Sequence, residues 1–399
     1  MTIVALLVSL SLIMYLINKK YSMGGVIFLG ALVMALLAGL SPAVILSIII
    51  ETGTNPNTLG LVFSVYLIGV LGSMMQEYGV IERMMEYLEK SFKSVKLLLF
   101  IVPSLLATFS VAGSAVFAAP VLDVLGDKVG ITKERKAAIN LYVRHAWYYV
   151  LPISPSILYA AYLADVSVWA LIRVQAPVAV VTLAVAYLVY IAPLKDVRLV
   201  SNSGENGREI VKRTLFYTSP LIVTIIMVIW FPFYIALLAG CLLSFLIRTK
   251  DGNFGKMLRT RQGLNMVYAA SAIMVFKGVI DGIPGIRLIV QGLIDQGMPI
   301  ELLLFGLPLV MGYILANSQA LVGMLFPILL PLVPQEQLLV TAALINILGY
   351  TAYYISPLHL CQALTNEYFC ISTKGLYREY KITVPVMLIS GIINYLVFR

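Results

Sequence analysis

The chain has 399 residues, of which 60% are hydrophobic and only 12% are charged, and its net charge is +9. Soluble domains carry about 25% charged residues, so an apolar excess of this size has to be covered by lipid. The composition argues against a soluble enzyme, a nucleic-acid-binding protein and a disulfide-stabilised secreted scaffold. It predicts an all-α polytopic membrane protein.

The basic residues indicate the topology of this membrane protein. Most of them lie in six short segments between apolar stretches: 19–20, 83–96, 128–136, 195–213, 248–261 and 374–381. Lysine and arginine accumulate in the cytoplasmic loops of membrane proteins, so these six segments are predicted to be cytoplasmic and both termini to be outside.

The first half of the chain is predicted to contain three spans, over 3–18, 22–49 and 58–76. Residues 79–96 then alternate charged and apolar residues at helical spacing, which is typical of an amphipathic helix on the cytoplasmic interface. The apolar stretch 97–126 has basic residues on both sides, which predicts a re-entrant hairpin that returns to the side it entered from.

A discontinuous transmembrane helix is predicted for residues 137–171. Pro152 and Pro155 interrupt this apolar run, and each removes a backbone donor from the helix. Residues 175–193 return to the cytoplasm, and 195–213 form a polar linker.

After the linker the same pattern begins again. The second half is predicted to contain the spans 214–231, 232–247 and 264–280, an amphipathic stretch over 283–297, a hairpin over 302–333, a broken helix over 338–369 and a last span over 382–398. The sequence therefore predicts two repeats of five crossings and one hairpin each, over 1–194 and 214–399. An odd number of crossings inverts the second repeat, and inverted repeats with broken helices are typical of secondary transporters.

Matched residues support the repeat at a spacing of 205. The run from Lys96 to Phe100 resembles that from Glu301 to Phe305, and Tyr148-Tyr149 resemble Tyr353-Tyr354. The hairpin tips, Ala112-Gly113-Ser114 and Ala316-Asn317-Ser318, align with a slip of one residue.

Hairpin tips of Ser, Asn and Gly together with Pro-broken helices make the chain similar to the ion-transporter superfamily. That group includes dicarboxylate–sodium symporters, gluconate and arsenite permeases and some sodium/proton antiporters. The run from Arg144 to Pro155 resembles an uncharacterised prokaryotic integral membrane protein family within it. The resemblance implies a multi-pass protein of the prokaryotic inner or plasma membrane, an elevator mechanism and a homodimer. The symporters carry Ser-Asn-Thr at each tip, where this chain has Gly113-Ser114-Ala115 and Asn317-Ser318-Gln319.

The tips and the breaks define the candidate binding residues. A broken helix exposes N–H groups that suit an anion at one end and carbonyl groups that suit a cation at the other. The candidate substrate-binding residues are Gly113, Ser114, Ala115, Arg144, His145, Ser154, Ser156, Asn317, Ser318, Gln319, Ser356 and His359. Ser114 and Asn317 are also candidate sodium ligands.

Several of these candidates could have a purely structural role instead. A charge at the membrane centre costs at least ~2.5 kcal/mol, so Arg144 needs a reason to be there. It either binds an anion, pairs with an acid such as Asp123, or reaches the interface. The two histidines either bind substrate or protons or are hydrogen-bonded packing residues. Asp165 and Glu367 either couple an ion or lie at the interface.

No nucleotide-binding or hydrolytic motif occurs, so an enzyme is not expected. The leading prediction is a secondary active transporter of a small organic anion, a carboxylate, coupled to sodium or protons. No cofactor other than sodium ions and no nucleic-acid partner is expected. The alternative is a sodium/proton antiporter of the same fold, in which Asp165 or Glu367 would be a buried acid.

Overall fold

The computed structural model describes residues 2–19, 21–108, 114–199, 206–259, 261–283, 292, 297 and 299–399, and over these residues the chain is helical. The helices of the first half are α1 Thr2–Asn18, α2 Met23–Leu37, α3 Pro42–Thr54, α4 Pro56–Glu77, α5 Val80–Ser91, α6 Val95–Leu106, α7 Ser114–Lys128, α8 Lys133–Ala146, α9 Pro155–Leu163 and α10 Val168–Ala186. Those of the second half are α11 Gly207–Met227, α12 Phe233–Leu246, α13 Phe254–Leu258, α14 Arg261–Asp281, α15 Ile300–Leu315, α16 Ser318–Leu329, α17 Leu338–Ile355, α18 Leu360–Phe369, α19 Thr373–Glu379 and α20 Thr383–Phe398.

Several helical segments are long and apolar enough to cross a membrane. Among the described residues there are five: Pro56–Glu77, Val168–Ile191, Gly207–Met227, Phe254–Asp281 and Gln335–Phe369. A sixth results if the bent pair α19 and α20 counts as one span. The prediction of an all-α multi-pass membrane protein is confirmed at this level.

Helices from the two halves begin at a constant spacing. Six helices of the second half start 205 residues after a helix of the first half. The pairs are α1 with α11, α4 with α14, α6 with α15, α8 with α17, α9 with α18 and α10 with α19. The spacing is the one found between matched residues, so corresponding segments of sequence form corresponding helices.

The core lies around α8, α16 and α17. Every residue from Lys136 to Ala146, from Ala320 to Leu329 and from Val340 to Ala352 is buried. By contrast, α11 and α12 expose large apolar side chains such as Leu215, which a bilayer would cover. The buried helices therefore form the interior of the protein, and α11 and α12 lie at its periphery.

Proline breaks and caps set the helix ends near this core. Helix α8 gives way to a short 3₁₀ turn at Trp147–Tyr149 before α9 begins at Pro155. Helix α17 ends at Ile355, and α18 begins at Leu360. Between α15 and α16, Ala316 has a φ of 47° and Asn317 caps α16 by accepting the N–H of Ala320 at 2.9 Å. The breaks in 137–171 and 338–369 are thus confirmed.

Two boundaries differ from the prediction. The single span expected over 22–49 is two helices, because Gly39 has a φ of 84° and Pro42 starts α3. The linker expected over 195–213 ends earlier, because Asn206 caps a helix that begins at Gly207. The amphipathic helix expected over 79–96 is present as α5, while the tip expected at 112–113 and most of the stretch 283–297 lie outside the described residues.

Candidate functional site

A cavity of about 550 Å³ lies where helix ends from both halves meet. Seven of the predicted substrate-binding residues line it: Arg144, His145, Ser154, Ser156, Asn317, Ser318 and Gln319. These residues are up to 175 positions apart in the sequence. The fold therefore brings the first proline break and the second hairpin tip together at one site.

Four helices begin at the wall of this cavity. The first residues of these helices all line the cavity: Met23, Pro155, Ser318 and Leu360. The N–H groups of a first helical turn have no partner within the helix, and the helix dipole adds a partial positive charge. Pro155 fits the first position because it lacks the N–H that would be unsatisfied there. The four N-termini therefore add backbone that favours an anion to the cavity wall, which the C-terminal ends of α8, α15 and α17 also reach.

Arg144 adds a full positive charge to this wall. It lies in the last turn of α8, is only 1% exposed, and its guanidinium donates a hydrogen bond to the Tyr148 hydroxyl at 3.3 Å. Asp123, one partner considered for it, instead lies 2.6 Å from the ammonium group of Lys136. A buried guanidinium offers several N–H donors in a planar arrangement that matches a carboxylate.

The two histidines of the chain contact each other beside this wall. Nε2 of His145 lies 3.2 Å from Nε2 of His359, and both residues are 1% exposed. Nδ1 of His145 is 2.6 Å from the carbonyl oxygen of Leu141, and Nδ1 of His359 is 3.3 Å from that of Tyr354. Since a carbonyl oxygen only accepts, both Nδ1 atoms donate.

Polar contacts hold the two breaks in place. The Ser156 hydroxyl donates to Asn346 at 3.3 Å, and the Asn346 amide donates to Gln175 at 2.9 Å. These two hydrogen bonds join α9 to α17 and α17 to α10. Ser356 is fully buried in the second break, where its hydroxyl accepts the N–H of Leu358. It supports the break and does not line the cavity.

Aromatic residues that we did not predict complete the wall. Tyr148, Tyr350 and Tyr353 line the cavity together with Cys361. Tyr148 and Tyr353 are separated by 205 residues, so the repeat contained a signal for both. No comparable pattern pointed to Tyr350 or Cys361.

Other predicted residues lie elsewhere. Gly113 is outside the described residues, and of Ser114 and Ala115 the structure describes only the backbone, which starts α7. Asp165 and Glu367 are both exposed, and neither lines the cavity beside Arg144. The proposed ion-coupling acids are thus not brought to the candidate site.

Asp165 belongs to a second cavity of about 1030 Å³. This cavity is also lined by Glu51, Asp281 and Lys277, and the ammonium group of Lys277 lies 2.6 Å from Asp281. Lys277 and Asp281, one turn apart on α14, therefore form an ion pair in the wall of this cavity.

The chain belongs to the DUF401 family, a family of proteins of unknown function, whose pattern it matches over residues 1–398. A comparison with curated proteins gave no match.

Proposed function

We propose that this protein is a secondary active transporter of a small organic anion, a carboxylate, driven by a sodium or proton gradient. The proposal depends on one observation: buried Arg144 and four helix N-termini surround the same cavity. All of these groups favour negative charge, and a site of about 550 Å³ is large enough for a small molecule. No catalytic role is proposed for it.

The arrangement of the two cavities supports alternating access. The N-terminal ends of α9 and α16 line the cavity beside Arg144, and their C-terminal ends line the second cavity. Helix α14 does the same, with Asn265 at the first cavity and Gly278 at the second. These three helices separate a binding cavity on one side from a polar vestibule on the other.

Ion pairs support the way the proposed topology groups the segments by membrane side. Three of them join residues in or next to segments predicted to be cytoplasmic: Lys250–Glu82, Lys256–Glu77 and Arg135–Glu379. Arg399 and Glu301, which flanks the hairpin of the inverted second repeat, are both outside in this topology and are 3.2 Å apart. Segments assigned to the same side thus contact each other.

The constant spacing of helix starts supports two inverted repeats with re-entrant hairpins α6–α7 and α15–α16. In this scheme the hairpins and broken helices move past a scaffold that includes α1, α2, α11 and α12, in an elevator motion within a homodimer. The hairpin tips, with Ser114 and Asn317, are the proposed sodium sites.

The antiporter alternative receives less support. It requires a buried acid, whereas Asp165 and Glu367 are both exposed. A cation site with no anion bound beside it would also gain nothing from Arg144 in its wall, because the two positive charges repel each other.

The test measures the melting temperature of the purified protein with acetate, succinate, gluconate or citrate, each as the sodium and the potassium salt. A ligand that binds only the folded protein raises this temperature. At least one carboxylate is expected to do so, and Arg144→Gln should abolish the shift because the main charge is lost.

Arg173→Gln is the matched control, since Arg173 is exposed on α10 and lines neither cavity. It should keep the shift. Uptake of the same carboxylate into proteoliposomes then establishes transport. If no carboxylate stabilises the protein while sodium and pH do, the antiporter is the better assignment.

A further inference from the structure

The histidine pair has more hydrogen bonds than two neutral rings can supply. Its contacts are Nδ1 of His145 to Leu141, Nδ1 of His359 to Tyr354, and Nε2 to Nε2 between the rings. Three hydrogen bonds need three N–H groups, and two neutral imidazoles have only two. In the neutral pair, two Nε2 lone pairs would therefore face each other at 3.2 Å, or one carbonyl would lose its donor.

One added proton resolves this conflict. With a proton on either Nε2, both carbonyls keep their donors and the third hydrogen bond joins the rings. The pair then carries one positive charge. All three contacts can therefore be hydrogen bonds when the pair holds one added proton, but not when both rings are neutral.

The groups around the pair are mostly neutral. Those facing it from α8 and the following 3₁₀ turn are Arg144 and Tyr148; those from α17 are Tyr350, Tyr353 and Tyr354; that from α18 is Cys361. The acids on the neighbouring helices α7 and α19 that contact α8 are Asp123, Asp127 and Glu379, and they pair with Lys136 and Arg135 at the other end of α8. Arg144, which precedes His145 in the sequence and lines the same cavity, is thus the charged residue beside the pair.

A positive histidine pair and Arg144 repel each other when the cavity is empty, and an anion in the cavity attracts both. Burial strengthens both interactions because the local dielectric constant is low. Anion binding and proton binding should therefore favour each other, and by linkage each must raise the affinity for the other by the same factor.

We propose that His145 and His359 form a single proton-binding site whose proton enters and leaves with the anion. This inference rests on the proposed function, and it names the proton as the coupling ion. The proton is taken up from water on the side where the anion binds, occupies one Nε2, and is released to water when the anion leaves. The chemistry of this site is that of an anion–proton symporter.

A metal ion is a competing explanation of two facing lone pairs. Candidate ligand atoms of His145, His359 and Cys361 lie within 4.8 Å of one another. Arg144 in the same wall opposes a dication, so the observations favour the proton.

The chain has only two histidines, so imidazole signals in ¹⁵N-histidine NMR come from this pair alone. The protein is labelled, purified with a histidine-free tag and reconstituted in liposomes. On acidification, the anion-free pair should take up one proton, at Nε2, while both Nδ1 atoms stay protonated. Adding the carboxylate that stabilises the protein should move this uptake to higher pH.

Anion affinity gives the second readout. It should weaken by up to about tenfold per pH unit once the pair has lost its proton. In His359→Asn the amide can still donate to Tyr354 but there is no Nε2 to share the proton, so the pH dependence of anion affinity should move to lower pH. Only the double variant His145→Gln/His359→Asn should bind the anion with an affinity that does not depend on pH. His145→Gln retains polarity at the Nε2 position and tests the same loss from the other ring.

The outcomes separate this inference from the proposed function. If a carboxylate binds wild type with equal affinity at all pH values, the coupling is refuted and the anion transporter stands. If no carboxylate binds, the transporter fails, and the NMR titration of the anion-free protein still decides whether the pair binds one proton. Zinc chloride alone binding to wild type but not to Cys361→Ser would overturn the proton site in favour of a metal site.

Discussion

Two glycines, Gly312 and Gly349, lie where the second hairpin packs against the second broken helix. A Cβ atom added to Gly312 of α15 would lie 2.2 Å from the carbonyl oxygen of Gly349 of α17. The usual carbon–oxygen contact is about 3.3 Å, so Gly312→Ala should push α15 away from α17 by about 1 Å. Small residues are what allow membrane helices to pack this closely.

The expected cost follows from these distances. Inserting one methyl group into a well-packed interior costs about 1–3 kcal/mol, and the better helix propensity of alanine returns at most about 1 kcal/mol. The clash is with backbone, which has no rotamer to adjust, so Gly312→Ala should destabilise the protein by about 1–2 kcal/mol after this offset. The melting temperature in detergent measures the effect.

Gly306→Ala is the matched control on the same helix. A Cβ atom at Gly306 meets nothing within 4 Å, so this variant should melt at or above the wild-type temperature. Gly312 lies just before the tip at Ala316 and Asn317, so Gly312→Ala should also weaken carboxylate binding. Equal melting temperatures for the two variants would refute the packing argument.

Two further predictions concern the ends of the helices. Lys136 is 2% exposed and lies 2.6 Å from each of two aspartates of α7, so Lys136→Met should lower the melting temperature, while Lys133→Met, at an exposed position, should not. In a cysteine-free background, an impermeant maleimide should label Asp165→Cys in intact cells and Lys250→Cys only after permeabilisation. The reverse pattern would invert the proposed topology.

Local sequence rules predicted the parts of the fold that depend on single residues. Pro155 and Asn317 start helices where their chemistry favours a first turn or a cap, and both positions were expected to interrupt a span. The break between α2 and α3 was missed because the apolar run was taken as one span, although Gly39 followed by Ser41 and Pro42 is typical of a helix end followed by a capped helix start.

The candidate site was predicted residue by residue but not as a geometry. Arg144 stood out because a charge within an apolar run is costly, and the histidines because they occupy equivalent breaks. Their Nε2 contact joins residues 214 positions apart, and only the packing of α8 against α18 creates it. Asp165 and Glu367 were candidates because they follow the two breaks, and the sequence could not show that both are exposed, since burial is a property of the fold.

In the proposed transporter, the helices that separate the two cavities are the ones that would move. Helix α9 has nine residues and is therefore about 13 Å long, yet its two ends line different cavities. It packs against α16, which belongs to the other half of the chain and also lines both cavities. Because α9 and α16 begin at the proposed anion site, their displacement would carry the bound anion with them. We therefore expect α9 and α16 to move together past α14 when the anion passes from one cavity to the other. At the contact between α16 and α14, Gly323 has no side chain, which lets it lie close to the side chain of Ile273.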